Sequence, residues 1–220
     1  MATMYEILQS LPLFKGTSYE QISSFLEKTH VEFVKHVPGD VICETGQPCT
    51  HIKYVLSGTV CVGLELNGGR AVLEQTLGAG SVFTPVHLFG LDTVYPSRVV
   101  SVDEGTIMLI TKSQYFDILA KDPIFILNYI NYLGYFAQKK LQVIRNIEGG
   151  SLKSWLNTLQ SGLVDRHAIS ANLRTTKESL STIVGVDKQN IDIQLKALAD
   201  EGAVSYDSDL IINLFRKDIE

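Results

Sequence analysis

Apolar residues near the start of the chain recur every three or four positions: Ile7, Leu8, Leu11 and Phe14, then Ile22, Phe25 and Leu26. That spacing places them on one helix face. Pro12 and Gly16 cut Tyr5 to His30 into short helical pieces. From Val31 to about Ile110 the texture changes. Short β-rich runs follow one another: Val31–Val37, Val41–Cys43, Ile52–Leu56, Thr59–Leu66, Ala71–Leu77, Ser81–Phe83, Arg98–Val102 and Thr106–Ile110. Turn signals separate them, among them Pro38-Gly39-Asp40 and Asn67-Gly68-Gly69. Asn-Gly between two apolar runs marks a hairpin, because both central residues need positive φ. Strands this short and this evenly spaced predict a jelly roll (double-stranded β-helix) or a barrel.

Helical spacing returns at Lys112–Leu119. Asp122-Pro123 then reads as a cap followed by the first residue of a long helix. The helix is expected to reach about Ile147 and stop at Gly149-Gly150. Ile126, Ile130, Leu133, Ala137, Leu141 and Ile144 form a coiled-coil-like stripe along it. Packing on its own barrel would bury part of such a stripe. The length, about 25 residues, is long for a small domain's helix and favours a homodimer interface.

Beyond Gly150, Leu152–Leu159 is amphipathic. Thr175–Val184, a turn at Gly185, and Asp187–Glu201 read as two further helices, ended by Gly202. Ala203–Tyr206 and Leu210–Leu214 flank Asp207-Ser208-Asp209 as a hairpin. A helix, a helix-turn-helix and a β-hairpin make a winged-helix arrangement. The fold class is therefore α+β in three parts: an effector domain over 1–121, a dimerisation helix over 122–148 and a winged helix-turn-helix over 149–220.

In the helix-turn-helix, Ile183, Ile191, Leu195 and Leu198 point inward, and Gly185 supplies the tight turn. Asp187 caps the second helix. The exposed start of that helix carries Lys188, Gln189, Asn190 and Asp192 and would face a major groove. Gln and Asn pair with adenine, and Lys with guanine or phosphate. Thr176, Lys177, Lys188, Gln189, Asn190 and Lys196 are the candidate DNA-binding residues.

Two motifs carry a family resemblance. One is Pro38-Gly39-Asp40-Val41-Ile42, then Gly46, then Tyr54-Val55-Leu56-Ser57-Gly58-Thr59-Val60-Cys61-Val62. The other is the helix-turn-helix running into Glu201-Gly202-Ala203-Val204. Together they resemble the Crp/Fnr family of bacterial regulators. The resemblance implies a cyclic-nucleotide-binding-type roll, a homodimer, double-stranded DNA and RNA polymerase as partners, and an effector that reorients the recognition helices.

The sequence departs from that pattern at the effector. Members that bind cyclic AMP carry Gly-Glu and, about ten residues on, Arg-Ser: the Arg pairs with the cyclic phosphate and the Glu with the ribose. Here those places hold Thr84-Pro85 and Tyr95-Pro96, with Arg98 three residues late. Cyclic AMP is therefore not the expected effector. Thr84, His87, Phe89, Tyr95 and Arg98 suggest a mainly apolar pocket edge with one cation, although aromatics there could equally fill the space and leave no ligand.

Composition narrows the rest. The net charge is −5, and from Ser151 onward eight Lys and Arg face ten Asp and Glu, leaving −2. That is unusual for a DNA-binding domain. It supports an alternative: a dimeric ligand-binding or protein-interaction module whose winged helix no longer binds DNA. Asp187 has its cap to explain it; Asp192 has no such explanation in the sequence. Three cysteines, Cys43, Cys49 and Cys61, are too few for a four-cysteine iron–sulfur cluster. They read as small core residues of a protein in a reducing cytoplasm, with a thiol sensor left open. His87, alone on a loop, reads as solvated or hydrogen-bonded in preference to haem-bound. No cofactor or metal is expected. Scattered histidines and the lack of a nucleophile elbow or phosphate loop argue against an enzyme. No apolar run reaches the ~18 residues of a membrane span.

Overall fold

The computed structural model describes residues 4–83, 85–145, 149–165 and 167–214. The chain forms two compact units. The first takes the chain up to Cys61 and then Leu77–Phe136; the second takes Val62–Thr76 and the chain from Ala137.

The first unit opens with helices α1 (Met4–Ser10) and α2 (Tyr19–Lys28). Ser18 caps α2: its hydroxyl accepts from the Gln21 amide, while the Gln21 side chain accepts from the Ser18 amide. This satisfies two amides that a helix start leaves orphaned. The eight predicted strands are all present. A four-stranded antiparallel sheet runs β1 (Glu32–His36), β8 (Gly105–Thr111), β3 (His51–Ser57), β6 (Val82–Phe83). β2 (Val41–Cys43) pairs with β7 (Arg98–Ser101). β3 is buried from Ile52 to Leu56 without alternation, as a strand covered on both faces must be. The turn after β3 presses on the turn before β8. A Cβ on Gly105 would fall 2.1 Å from the Ser57 carbonyl oxygen, so only glycine fits there.

Helix α3 (Lys112–Lys121) starts with a second capping box, Thr111 with Gln114. Helix α4 runs Pro123–Arg145. The Asp122 carboxylate accepts from the Ile124 amide at 3.0 Å, the capping role expected of it. The predicted end of this helix near Ile147 lies outside the described residues. Phe125 of α4 packs with Phe14 and Phe25 in an aromatic cluster. No helix among the described residues is long and apolar enough to cross a membrane.

The second unit contains α5 (Leu152–Gly162), β9 (Ala168–Thr175), α6 (Lys177–Val184), α7 (Lys188–Asp200), β10 (Val204–Tyr206) and β11 (Ile211–Leu214). Strand β9 is a correction, since the sequence reading has no element between α5 and α6. Ala171, Leu173 and Thr175 face inward, but Ile169 is exposed and the rest is small or polar, so the alternation is faint. The strand forms because two neighbours pair with it. β11 lies on one side, and β5 (Ala71–Leu77), hairpinned to β4 (Val60–Leu66), lies on the other.

The hairpin residues of this unit are fixed by specific bonds. The Gln75 side chain donates to the Leu163 carbonyl at 3.1 Å and accepts from the Asp165 amide at 2.7 Å. Arg174 reaches Glu74 at 2.8 Å, and the Thr175 hydroxyl donates to the Arg70 carbonyl. Ala71 and Leu73 enter one core with Leu156, Leu180, Ile191 and Leu195. The sequence assigns this hairpin to the N-terminal domain; in the structure its outer part, Val62–Thr76, belongs to the second unit.

Candidate functional site

Helices α6 and α7 build the site of greatest chemical interest. Thr176 caps α6, its hydroxyl accepting from the Ser179 amide. Gly185 ends α6 at φ 81°, the left-handed conformation that glycine takes without strain. Asp187 caps α7, its carboxylate accepting from the Asn190 amide at 2.8 Å. Ile191, Leu195 and Leu198 are buried, which turns the opposite face of α7 outward.

On that outer face the structure separates residues that the sequence grouped together. Lys188 is ion-paired with Glu178 of α6. Lys177 is paired with Asp192, Nζ to Oδ1 at 2.6 Å. All four side chains are exposed. Asp192 raises the pKa of Lys177, first through the hydrogen bond. The hydrogen bond from Lys188 lowers that of Glu178. Asp192, unexplained by the sequence, thus has a partner across the turn. The Asn190 side-chain oxygen accepts from Gln194 at 3.0 Å. Gln194 also caps the start of α5 by accepting from the Leu152 amide at 2.7 Å. Gln189 and Lys196 are exposed with no polar partner among the described residues. The cross-pairs were missed because each joins residues 10 or more positions apart on different helices, where no periodicity signals contact.

The candidate effector residues lie in the first unit. Thr84 lies outside the described residues. His87 Nδ1 is 3.3 Å from the Asp92 carbonyl oxygen. Phe89 stands edge-on to Tyr129, with the Lys112 ammonium 5.3 Å from its ring centre. Tyr95 is buried and donates to the His51 carbonyl at 3.2 Å. Arg98 is exposed, with Nε 3.2 Å from Glu44. Phe89 lines an open hollow of about 760 Å³ with Cys49, His51, Lys112 and Phe116, while the hydroxyl of Tyr95 and the guanidinium of Arg98 are engaged elsewhere.

Tyrosines occupy much of the neighbouring interior. Tyr54, Tyr115, Tyr129 and Tyr132 border a cavity of only about 10 Å³, barely the room one water needs. The Tyr129 hydroxyl donates to the Pro85 carbonyl at 3.0 Å. Lys53 is buried with its ammonium 5.5 Å from the Tyr95 ring centre, and sequence reasoning missed it. Burial, then the Lys53 charge, lowers the pKa of His51. Burial pushes the Cys43 thiol up to about 12.

Along α4, Ile126, Ile130, Leu141 and Ile144 are exposed in the single chain, as is Ala137, and Leu133 is half-buried.

Residues 33–122 match the cyclic nucleotide-binding domain family. The cAMP-activated global transcriptional regulator CRP of Haemophilus influenzae is 19% identical over 181 residues, covering 80% of this chain and 81% of its own length. The chain is thus similar to a CRP regulator along most of its length. Among solved structures, the catabolite activator protein of Thermus thermophilus aligns with a TM-score of 0.49 and 18% identity, covering 93% of each chain. DNR of Pseudomonas aeruginosa aligns with a TM-score of 0.46 and 17% identity, covering 99% of this chain and 97% of its own.

Proposed function

We propose that this Crp/Fnr relative is an effector-responsive transcription regulator that binds double-stranded DNA as a homodimer. The observation that carries the reading is the crossing of α6 and α7. A left-handed Gly185 joins them, and Asp187 caps α7 so that its polar first turns face solvent beside the β10–β11 hairpin. That arrangement supports the reading of a winged helix-turn-helix in which α7 would be the groove-reading helix. Thr176, Lys177, Lys188, Gln189, Asn190 and Lys196 are its candidate contacts. The exposed stripe on α4 supports pairing of two chains through Ile126, Ile130, Leu133, Ala137, Leu141 and Ile144, which would present two recognition helices to two half-sites.

The effector is a small molecule other than cyclic AMP. Tyr95 keeps its hydroxyl on the His51 carbonyl, the Pro85 carbonyl is taken by Tyr129, and Arg98 pairs with Glu44. None of the three is placed to replace the missing Glu and Arg. Calorimetry should give no cyclic AMP binding; a micromolar dissociation constant would overturn this part. DNA binding is tested by fluorescence anisotropy on a duplex from the region upstream of the chain's own gene. The expected result is sequence-specific binding that weakens steeply with salt. Equal affinity for unrelated duplexes, or none, would overturn the reading.

A further inference from the structure

Ile193 sits in the second turn of α7 with 69% of its surface exposed, on the face opposite the core-facing Ile191, Leu195 and Leu198. At about 100° per residue, Gln189, Ile193 and Lys196 fall within about 60° of one another. They form a single outward stripe. On the same helix, Lys188 is held by Glu178, Asp192 by Lys177 and the Asn190 oxygen by Gln194. The polar groups on that stripe without a partner among the described residues are the Gln189 amide, the Lys196 ammonium and, one turn further on, the Asp200 carboxylate, with the aliphatic surface of Ile193 between the first two.

Gln189, Ile193 and Lys196 each have a distinct complement in the major groove. A glutamine amide matches the acceptor–donor pair on the edge of adenine. An aliphatic side chain matches the 5-methyl group of thymine, the one apolar feature of the groove. Lysine at the far end reaches phosphate or guanine. Against a G·C pair, Ile193 would cover polar edge atoms and leave them without hydrogen bonds.

We infer that Ile193 is a specificity-determining residue that reads a thymine methyl group, so that with Gln189 the α7 face selects half-sites with A·T pairs at its centre. This rests on the DNA-binding reading above. The two N-terminal positions of the stripe act together: Gln189 reads adenine, and Ile193 the thymine methyl of the same or the next pair.

The test uses the full-length protein. Duplexes are selected from a random pool, and the winning half-site is remade with deoxyuridine for thymidine, which keeps base pairing and removes only the methyl groups. Wild-type affinity should fall about fourfold for each contacted methyl. Ile193→Ala should bind thymine and uracil duplexes equally while keeping the wild-type melting temperature, since the side chain is exposed. Specific binding that ignores the methyl groups, a G·C centre in the selected half-sites, or an Ile193→Ala variant that keeps the full uracil penalty would each overturn the inference and leave the DNA-binding reading standing. A selection that yields no specific duplex overturns both.

Discussion

Glu178 and Asp192 hold two of the lysines that DNA would need. Lys177 lies 2.6 Å from Asp192, and Lys188 is bonded to Glu178. The double variant Glu178→Gln, Asp192→Asn removes both anions and keeps side-chain shape. It takes the region from Ser151 from −2 to neutral. All four groups are exposed, so folding stability should not change. DNA affinity should. Each phosphate neutralised by a freed lysine steepens the fall of log affinity with log salt by about 0.9. Two lysines per protomer give about 4 for a dimer on two half-sites. Between roughly 50 and 200 mM salt, that slope is worth about two orders of magnitude. A salt series by fluorescence anisotropy, with wild type and variant on the same duplex, measures it. The expected result is tighter binding at low salt and a slope steeper by several units. Tighter binding with an unchanged slope would refute the reasoning, because the lysines would then already serve phosphates in the wild type. An unchanged affinity would refute it too.

Three further outcomes follow from the packing. Gln75→Leu leaves the Leu163 carbonyl and the Asp165 amide without partners and should destabilise the second unit by about 2 kcal/mol in urea unfolding; a change below about 0.5 kcal/mol would show that water replaces both bonds. Leu141→Asp places a charge on the exposed α4 stripe and should turn a dimer into a monomer in multi-angle light scattering, so a dimer of undiminished mass would remove α4 from the interface. Cys43, buried with its thiol pushed up to about 12, carries almost no thiolate at pH 8 and should resist alkylation until the chain is unfolded; equal labelling of native and urea-treated protein would contradict its burial.

Much of the site was legible because its causes are local. Thr176, Asp187 and Gly185 do what capping and turn chemistry ask of those residue types at those places. The exposed stripe of α4 can be read from spacing alone. The reading faltered where a partner comes from far along the chain. Lys188 looked like a free DNA contact until Glu178 was brought against it, and Asp192 looked unexplained until Lys177 was.

Hydrophobic period, caps and turn glycines act over a few residues, and they were enough to locate the eight strands between Glu32 and Thr111, the long helix, the two crossed helices and the hairpin after them. The tertiary structure decided the rest. It made Ala168–Thr175 a strand by supplying β11 and β5 as neighbours, although its own alternation is faint. It placed residues 62–76 in the second unit, where Gln75 meets Leu163 and Asp165. It also set tyrosines from β3, α3 and α4 around a space too small for a ligand. In each case the deciding energy lies in hydrogen bonds and contacts between residues that are remote in sequence, and no pattern along the chain records those pairings.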